Sequence, residues 1–328
     1  MQPASEAIGG YFGLDESSRS PTAPRWMGAA LHYQSARAAF LALLTNELPA
    51  AVWLPEYICH EMVETVRAAD IVVKFYPNLD EFTVPDLKLD TSEWLVCVNY
   101  FGTHGKSVAD ALARLPARQI VVDHAHAYFS PPAASLATIY SPRKFFGVPD
   151  GGHLVTTANV SPPLVQDEGS QGRSQHLYMR ATVGPENGYG AYQAAERSLI
   201  GLTPMRMSDQ TETRLSQLDM TAMALTRRRN FDCLQSLIGD RYPAHKNMAP
   251  DDVPLCYPIR NGSVRLREFL ISKRVYVANY WPQLQYLHGA ASPAVSIARS
   301  LVPLPIDHRY GLEEIARLAS ILASYRGD

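Results

Sequence analysis

Residues 51–76 read AVWLPEYICHEMVETVRAADIVVKFY, and this stretch decides the fold. AVWLP is a short apolar run ending in proline, and IVVKFY is β-branched and aromatic, the composition of buried strands. Between them Ile58, Met62 and Val66 recur at i, i+4 and i+8, which lays one apolar stripe along a helix. The rhythm continues outward. LVCVNYFG (95–102) repeats the strand type, and SVADALARLP (107–116) sets Val108, Leu112 and Leu115 on one helix face. QIVVD (119–123), TIYS (138–141) and GHLVTT (152–157) are further short strands. Short apolar strands alternating with amphipathic helices predict an α/β fold, with a mostly parallel central sheet flanked by helices. Ligands in such sheets bind beyond the carboxyl ends of the strands.

Toward the N-terminus, residues 1–26 are rich in Ser, Pro and Gly and read as an extended arm, leaving 27–206 as the large domain. From 207 the character changes. SDQTETRLSQLDMTAMALTRRRNFDCLQSLIG (208–239) carries Leu215, Leu218, Leu225, Leu234 and Leu237, and reads as one long helix stopped by Gly239. LCYPI, RLREFLISKRVYV and LEEIARLASILASY then supply strand, helix, strand and terminal helix, so 207–328 reads as a long helix and a smaller C-terminal α+β domain.

Bulk properties narrow the function classes. The 328 residues are 46% hydrophobic and 19% charged with a formal net charge of −2, and no block of like charge exceeds Arg227-Arg228-Arg229. A basic face for nucleic acid is not expected. The four cysteines (Cys59, Cys97, Cys233, Cys256) are scattered without a C-x-x-C pair, against a disulfide framework or a zinc site. The first twenty residues lack the basic start and apolar core of a secretory signal. The longest clean apolar run, Ala38 to Leu44, falls far short of the roughly 20 residues that a membrane helix needs. A cytoplasmic protein is therefore expected, with no membrane partner.

The chemistry-bearing residues follow the strands. Lys144, in YSPRKFFGVPDGG, sits between a strand end and a glycine-containing turn, flanked by Phe145 and Phe146 with Ser141 three residues earlier. An amine nucleophile needs a lowered pKa, and apolar neighbours with the nearby cation Arg143 act in that direction. Read by itself, a loop lysine is simply solvated. Asp123, at the end of IVVD, is an expensive buried carboxylate unless it meets a cation, such as a protonated pyridine nitrogen. It also reads as a cap, or with His124 and His126 as a metal cluster. Strand alternation would put the two histidines on one face and Asp123 on the other, which disfavours metal. Ser35 reads as the N-cap of an apolar helix with Ala36 and Arg37 in its first turn, a place where phosphate can bind. Tyr57, just after Pro55, is placed to stack on a ring, and Tyr100 or Phe101 to line a pocket, although aromatics also simply fill cores. Asn279, Tyr280 and Trp281 read equally as substrate contacts or as a strand followed by a Pro282 turn, and Arg227 to Arg229 as a solvated helix face or partners for acidic residues.

Taken in order, SARAAF, LPEYICHEMVETVRAAD, VNYFGTHG, VVDHAHAYF, YSPRKFFGVPDGGHLVT and MRMSDQTETRLSQLD resemble the DegT/DnrJ/StrS aminotransferases, which are fold-type I enzymes dependent on pyridoxal 5'-phosphate (PLP). The resemblance spans residues 28 to 318. It implies a large α/β domain, a small C-terminal domain and a homodimer with both active sites at the interface. It further implies that Lys144 is the Schiff-base lysine, Asp123 the partner of the pyridine nitrogen, and His126 the residue beside the 3-hydroxyl. Ala36 and Arg37 match the phosphate-holding segment, with Ser141 a candidate hydroxyl contact, and Arg206 and Ser208 match a segment that reaches the partner subunit's site. Departures are visible. Ser141 stands closer to the lysine than the family's serine, Thr203 and Pro204 replace an Asn-bearing segment, and Ala36-Arg37 replaces Gly-Thr or Gly-Arg. The activity implied is transfer of an amino group from an amino acid, glutamate in most of the family, to a keto group, usually that of a nucleotide-linked keto-sugar. Other PLP reactions on the same fold (lyase, racemase, decarboxylase) and an inactive dimeric paralogue stay open at this point.

Overall fold

The computed structural model describes residues 7–78, 82–243, 248–249 and 251–327. After β1 (Ile8–Gly9) in the arm, the chain builds β2 (Leu31–Tyr33), α1 (Ala36–Glu47), β3 (Ala51–Pro55), α2 (His60–Ala68) and β4 (Val72–Tyr76). It continues with β5 (Glu93–Val98), α3 (Gly105–Arg114), β6 (Ile120–His124), β7 (Ala137–Tyr140) and β8 (Gly152–Thr156). Seven strands form one sheet in the order β2-β8-β7-β6-β5-β3-β4. β4, β3, β5, β6 and β7 run parallel, while β8 is antiparallel to β7 and β2 antiparallel to β8. β5 and β6 are buried along their whole length, as strands covered on both faces must be. The predicted stripe of Ile58, Met62 and Val66 packs with Phe40 and Leu43 of α1 in the largest core cluster.

This topology gathers chain ends. Because β8 is antiparallel, its first residue, Gly152, lies at the same edge as the carboxyl ends of the parallel strands, opposite Tyr33 at the end of β2. There β8 abuts the start of α1. A Cβ on Gly152 would run into the Ser35 carbonyl carbon and the Ala36 nitrogen, and Gly151, at φ +125°, donates its N–H to Gln34 O at 2.8 Å. The glycine pair thus lets two backbones touch where any side chain would separate them.

Residues 157–208, to which no element was assigned from sequence, contain α4 (Ser170–Arg173), α5 (Gln175–Val183) and α6 (Pro185–Arg197). The long helix expected over 208–239 is two helices, α7 (Asp209–Ser216) and α8 (Met220–Ile238). Ser208 caps the first, and Asp219 accepts from Ala222 N to cap the second. Between them the arm intrudes, because Thr22 takes a hydrogen bond from Met220 N and gives one to Leu218 O. The continuous leucine pattern could not reveal a break made by a segment about 200 residues away. Arg227 also departs from the expected solvated face. It is fully buried, donates to the carbonyls of Leu255 (3.2 Å) and Phe145 (3.3 Å), and burial holds its pKa down at about 10.

The C-terminal unit adds β9 (Tyr257–Ile259), α9 (Val264–Ser272), β10 (Val275–Tyr276), α10 (Leu284–His288), α11 (Pro293–Ser300), β11 (Val302–Leu304) and α12 (Leu312–Ser324). β9 pairs with β11, and β10 with β1 of the arm. Its core joins Phe231 and Leu234 of α8 to Leu270, Val302 and Leu318, whereas Leu284, Val295 and Ala298 pack against the core formed by α1 and α2. Among the described residues no helix is long and apolar enough to cross a membrane.

The close approach at the glycine pair predicts that Gly152→Ala destabilises the protein by about 3 kcal/mol, the upper range for forcing a methyl into packed structure. Chemical denaturation checks this, and a loss below about 0.5 kcal/mol would show that the two backbones can part without cost.

Candidate active site

Lys144 closes a 3-10 turn, Pro142–Lys144, that begins just past the end of β7, and its Nζ lies 2.8 Å from His126 Nε2. His126 reaches it through a turn. β6 stops at His124, Ala125 N donates to Asp123 Oδ1 at 2.7 Å, and Ala127 N to His124 O at 2.9 Å. The expected pairing of His124 with His126 on one face therefore fails, because strand alternation ends at the turn. His124 packs its ring edge-on against Tyr140, while His126 joins Lys144. Among the described residues no group of three or more His, Cys, Asp or Glu is placed to hold a metal ion.

The backbone N–H of Phe101 approaches His126 Nδ1 at 3.5 Å. Burial, with Lys144 adding, holds the His126 pKa well below its usual value, so the ring is neutral and meets Lys144 Nζ through Nε2. Asp123 is 8% exposed, and burial raises its pKa, opposed by the Ala125 N–H and by Lys144. Burial likewise pushes the Cys59 thiol up to about 11, with Lys144 opposing and Glu61 and Asp123 adding. Lys144 and Asp123 thus both bear electrostatically on the residue that precedes α2.

An aromatic wall surrounds this group. The Tyr57 and Trp281 rings meet edge-on at 4.5 Å, and Trp281 lies nearly parallel to His126 at 5.8 Å. Phe101 stacks on His126 from another side at 5.8 Å, and Tyr280 stands 5.3 Å away. Tyr100 donates to the Tyr57 carbonyl and accepts from Asn78 Nδ2 at 3.1 Å, so it fixes the Tyr57 backbone. Among the described residues the buried Tyr57 hydroxyl has no partner, an orphaned polar atom inside the wall. Trp281 holds φ +58°, a left-handed conformation uncommon for a bulky residue.

Charge gathers on the β2–α1 side. Ser35 caps α1 by accepting from Ala38 N at 3.1 Å, which leaves Ala36 and Arg37 in the first turn, both half-buried. Arg143 does not act as a lone cation beside Lys144, because it pairs with Glu196 of α6. Nothing in the sequence pointed to Glu196, which lies 53 residues away in a segment without a strand pattern. Ser141 is buried at the end of β7. Arg206 faces Asp209 at 3.6 Å, and Ser208 donates to Asp150 Oδ2 at 2.6 Å while capping α7. A cleft of about 470 Å³ lined by Asp15, Gly147, Asp209 and Arg214 contains none of Lys144, His126 and Asp123.

No protein-family model and no curated protein matches the sequence. Solved structures match it along almost all of its length. A putative sugar aminotransferase of Streptococcus pneumoniae, Spr1654 in its PLP form, superposes with a TM-score of 0.63 at 14% identity, covering 95% of this chain and 97% of its own. S. venezuelae DesV, in complex with a ketimine intermediate, gives 0.62 at 18% identity, covering 95% and 92%. DesI, in the presence of its TDP-sugar product, gives 0.58 at 16% identity, covering 89% and 79%. The chain has the fold of these sugar aminotransferases, the fold-type I architecture expected from sequence.

A carboxyl whose pKa is raised by burial favours the folded state when protonated, and that contribution is lost as pH rises through the raised pKa. Asp123→Asn should therefore raise the melting temperature of the ligand-free protein near neutral pH, with a gain that shrinks toward the carboxylate range. Thermal denaturation across pH checks this, and a drop at neutral pH would show that the buried charge is already compensated.

Proposed function

We propose that this chain is a PLP-dependent aminotransferase that moves an amino group from an amino acid, glutamate by preference, to the keto group of a nucleotide-linked keto-sugar. The observation that carries the reading is the meeting of Lys144 Nζ with Nε2 of a neutral His126, beside a buried Asp123, at the carboxyl edge of a sheet with this fold. The residues present fit the cofactor. Asp123 is a buried carboxyl that a protonated ring nitrogen would hold ionised, and the wall at Tyr57 has an unpartnered hydroxyl. Lys144 would bind PLP covalently, His126 would present its N–H to the ring hydroxyl, Tyr57 would lie against the ring, and Ala36, Arg37 and Ser141 would meet the phosphate.

PLP, when bound, supplies an electron sink for the carbon that bears the amine. The chain's own residues do the rest. Lys144 Nζ, held by His126, would move a proton from and to the substrate carbon. Asp123 would hold the protonated ring nitrogen as its charge partner. Tyr57, Tyr100, Phe101 and Trp281 exclude water from the Lys144–His126 pair.

A homodimer of this kind agrees with the surface beside Arg206. Val165, which accepts from Arg206 N, is 65% exposed, and its neighbour Leu164 is 95% exposed. Arg206 and Ser208 would then serve the substrate site of the partner subunit. Small molecules, not nucleic acid or membrane, are the other partners, in the cytoplasm. The same-fold DesI with its TDP-sugar product supports the acceptor class.

Purified protein given PLP should develop the visible absorbance of lysine-bound PLP, and glutamate alone should discharge it. Lys144→Ala should form no such band and transaminate at least about a hundredfold more slowly. A band untouched by glutamate or any other amino donor would refute transamination, and an unchanged band in Lys144→Ala would remove Lys144 from its role.

A further inference from the structure

The turn that presents Lys144 is held from outside itself. Within it, Phe145 N and Phe146 N both donate to Pro142 O at 2.9 Å, whereas Lys144 N reaches Ser141 O only at 3.4 Å. Two remote residues take up polar groups that follow the lysine. Arg227 of α8 donates to Phe145 O at 3.3 Å, and Gly147 N donates at 2.7 Å to Oδ2 of Asp15, 132 residues earlier in the arm. A backbone N–H on a carboxylate is a charge-assisted hydrogen bond, roughly twice as strong as a neutral one. The other oxygen, Oδ1, meets His308 Nε2 at 2.9 Å, and both side chains are almost enclosed. The His308 ring stacks on Phe12 of the arm, with centroids 5.8 Å apart, and tilts against Phe146 at 6.3 Å. Each oxygen of Asp15 thus has its own partner, which fixes the orientation of the carboxylate.

The arm reaches this point from fixed ends. Gly10 N donates to Tyr276 O at 2.8 Å beside the β1–β10 pair, and Ser18 N donates to Gln217 O at 2.8 Å just past α7. Between these anchors the arm and the turn touch. A Cβ on Gly147 would run into the Gly13 carbonyl, with Asp15 N 3.2 Å away. Gly147 is not among the residues with positive φ, so it is the closeness of the arm, and not a left-handed backbone, that calls for glycine here. Apolar side chains could fasten a strap at no desolvation cost. A nearly enclosed carboxylate is costly unless paired, and this one is directed at a main-chain amide three residues from Lys144.

We propose that Asp15 is a positioning residue for Lys144, which through Gly147 sets where the turn stands and so where Nζ meets His126, with His308 orienting the carboxylate. The arm is then part of the apparatus that places the reacting amine. The placement of the turn rests on these contacts alone, whereas its consequence for proton transfer rests on the function proposed above.

The test begins with amide hydrogen exchange on the full-length protein without PLP. In the wild type the Gly147 amide should exchange as slowly as the amides of β6, and exchange at the rate of an exposed loop overturns the proposal without any variant. Asp15→Ala should speed exchange across residues 145–148 at least about tenfold while β6 and β7 keep theirs. Unaltered exchange at 145–148, or acceleration shared equally by β6 and β7, overturns the proposal. Protein loaded with PLP then supplies the kinetic half. At saturating glutamate, Asp15→Ala should lose the band of lysine-bound PLP about tenfold more slowly than the wild type, within the roughly hundredfold that a 1 Å misplacement can cost. Its half-saturating glutamate concentration should stay within about twofold, because the interaction removed is not one with substrate. Asp15→Asn, which keeps an acceptor oxygen, should recover the rate to within about threefold. A wild-type rate in Asp15→Ala with a loosened turn overturns the proposal and leaves Asp15 as a structural strap. A wild-type protein that forms no band removes the proposed activity, and the exchange measurements then decide the placement of Lys144 by themselves.

Discussion

A carboxyl buried at the end of β6 is the constraint on which the site depends. Asp123 lies between β5 and β7, its pKa is raised by burial, and its side chain takes a hydrogen bond from the Ala125 N–H. That same hydrogen bond makes the turn which carries His126 off the strand and over to Lys144. One aspartate thus both creates the need for a cation and shapes the backbone that presents His126 to Lys144. The arrangement is strained as a stability device, because an enclosed carboxyl without a contacting cation costs free energy. It makes sense as a binding device.

The buried arginines show how the chain meets the same difficulty where no ligand is called for. Arg173 pairs with Asp167 and Arg309 with Asp307, each nearly enclosed. Among the described residues Arg227 has no carboxylate in contact, and it distributes its charge over two carbonyls and the face of Phe145, 4.8 Å away. Through those bonds α8 is fastened to the turn that follows Lys144, so the C-terminal half of the chain takes part in fixing the lysine. Arg143 differs from the others, because its partner is more exposed than it is and one of its donors is left over.

The arm extends this fastening. Asp15 accepts from Gly147 N at 2.7 Å and faces His308 at 2.9 Å, so one side chain links the arm, the turn after Lys144 and the C-terminal unit. Thr22 separates α7 from α8, and β1 adds a strand beside β10. What reads in sequence as an extended arm is a strap that packs along the structure. Trp281 arrives in the site by a similar route, carried from beyond β10 onto His126.

Sequence alone determined whatever depends on local periodicity and on residue type at strand ends. The six apolar runs became strands β3 to β8, Met62 and Val66 became part of the buried face of α2 with Ile58 buried just before it, and Lys144, Asp123, His126 and Tyr57 could be singled out as candidates because α/β sheets display their chemistry where strands stop. Only the tertiary structure decided the rest. The α7–α8 break, the burial of Arg227, the pairing of Arg143 with Glu196 and the direction of His126 each depend on a partner remote in sequence or on a turn that cancels alternation. The reason is physical. Periodicity records which face of an element meets apolar surroundings, whereas a buried charge is neutralised by whichever group the fold brings within reach, and that distance is set only when the chain has closed.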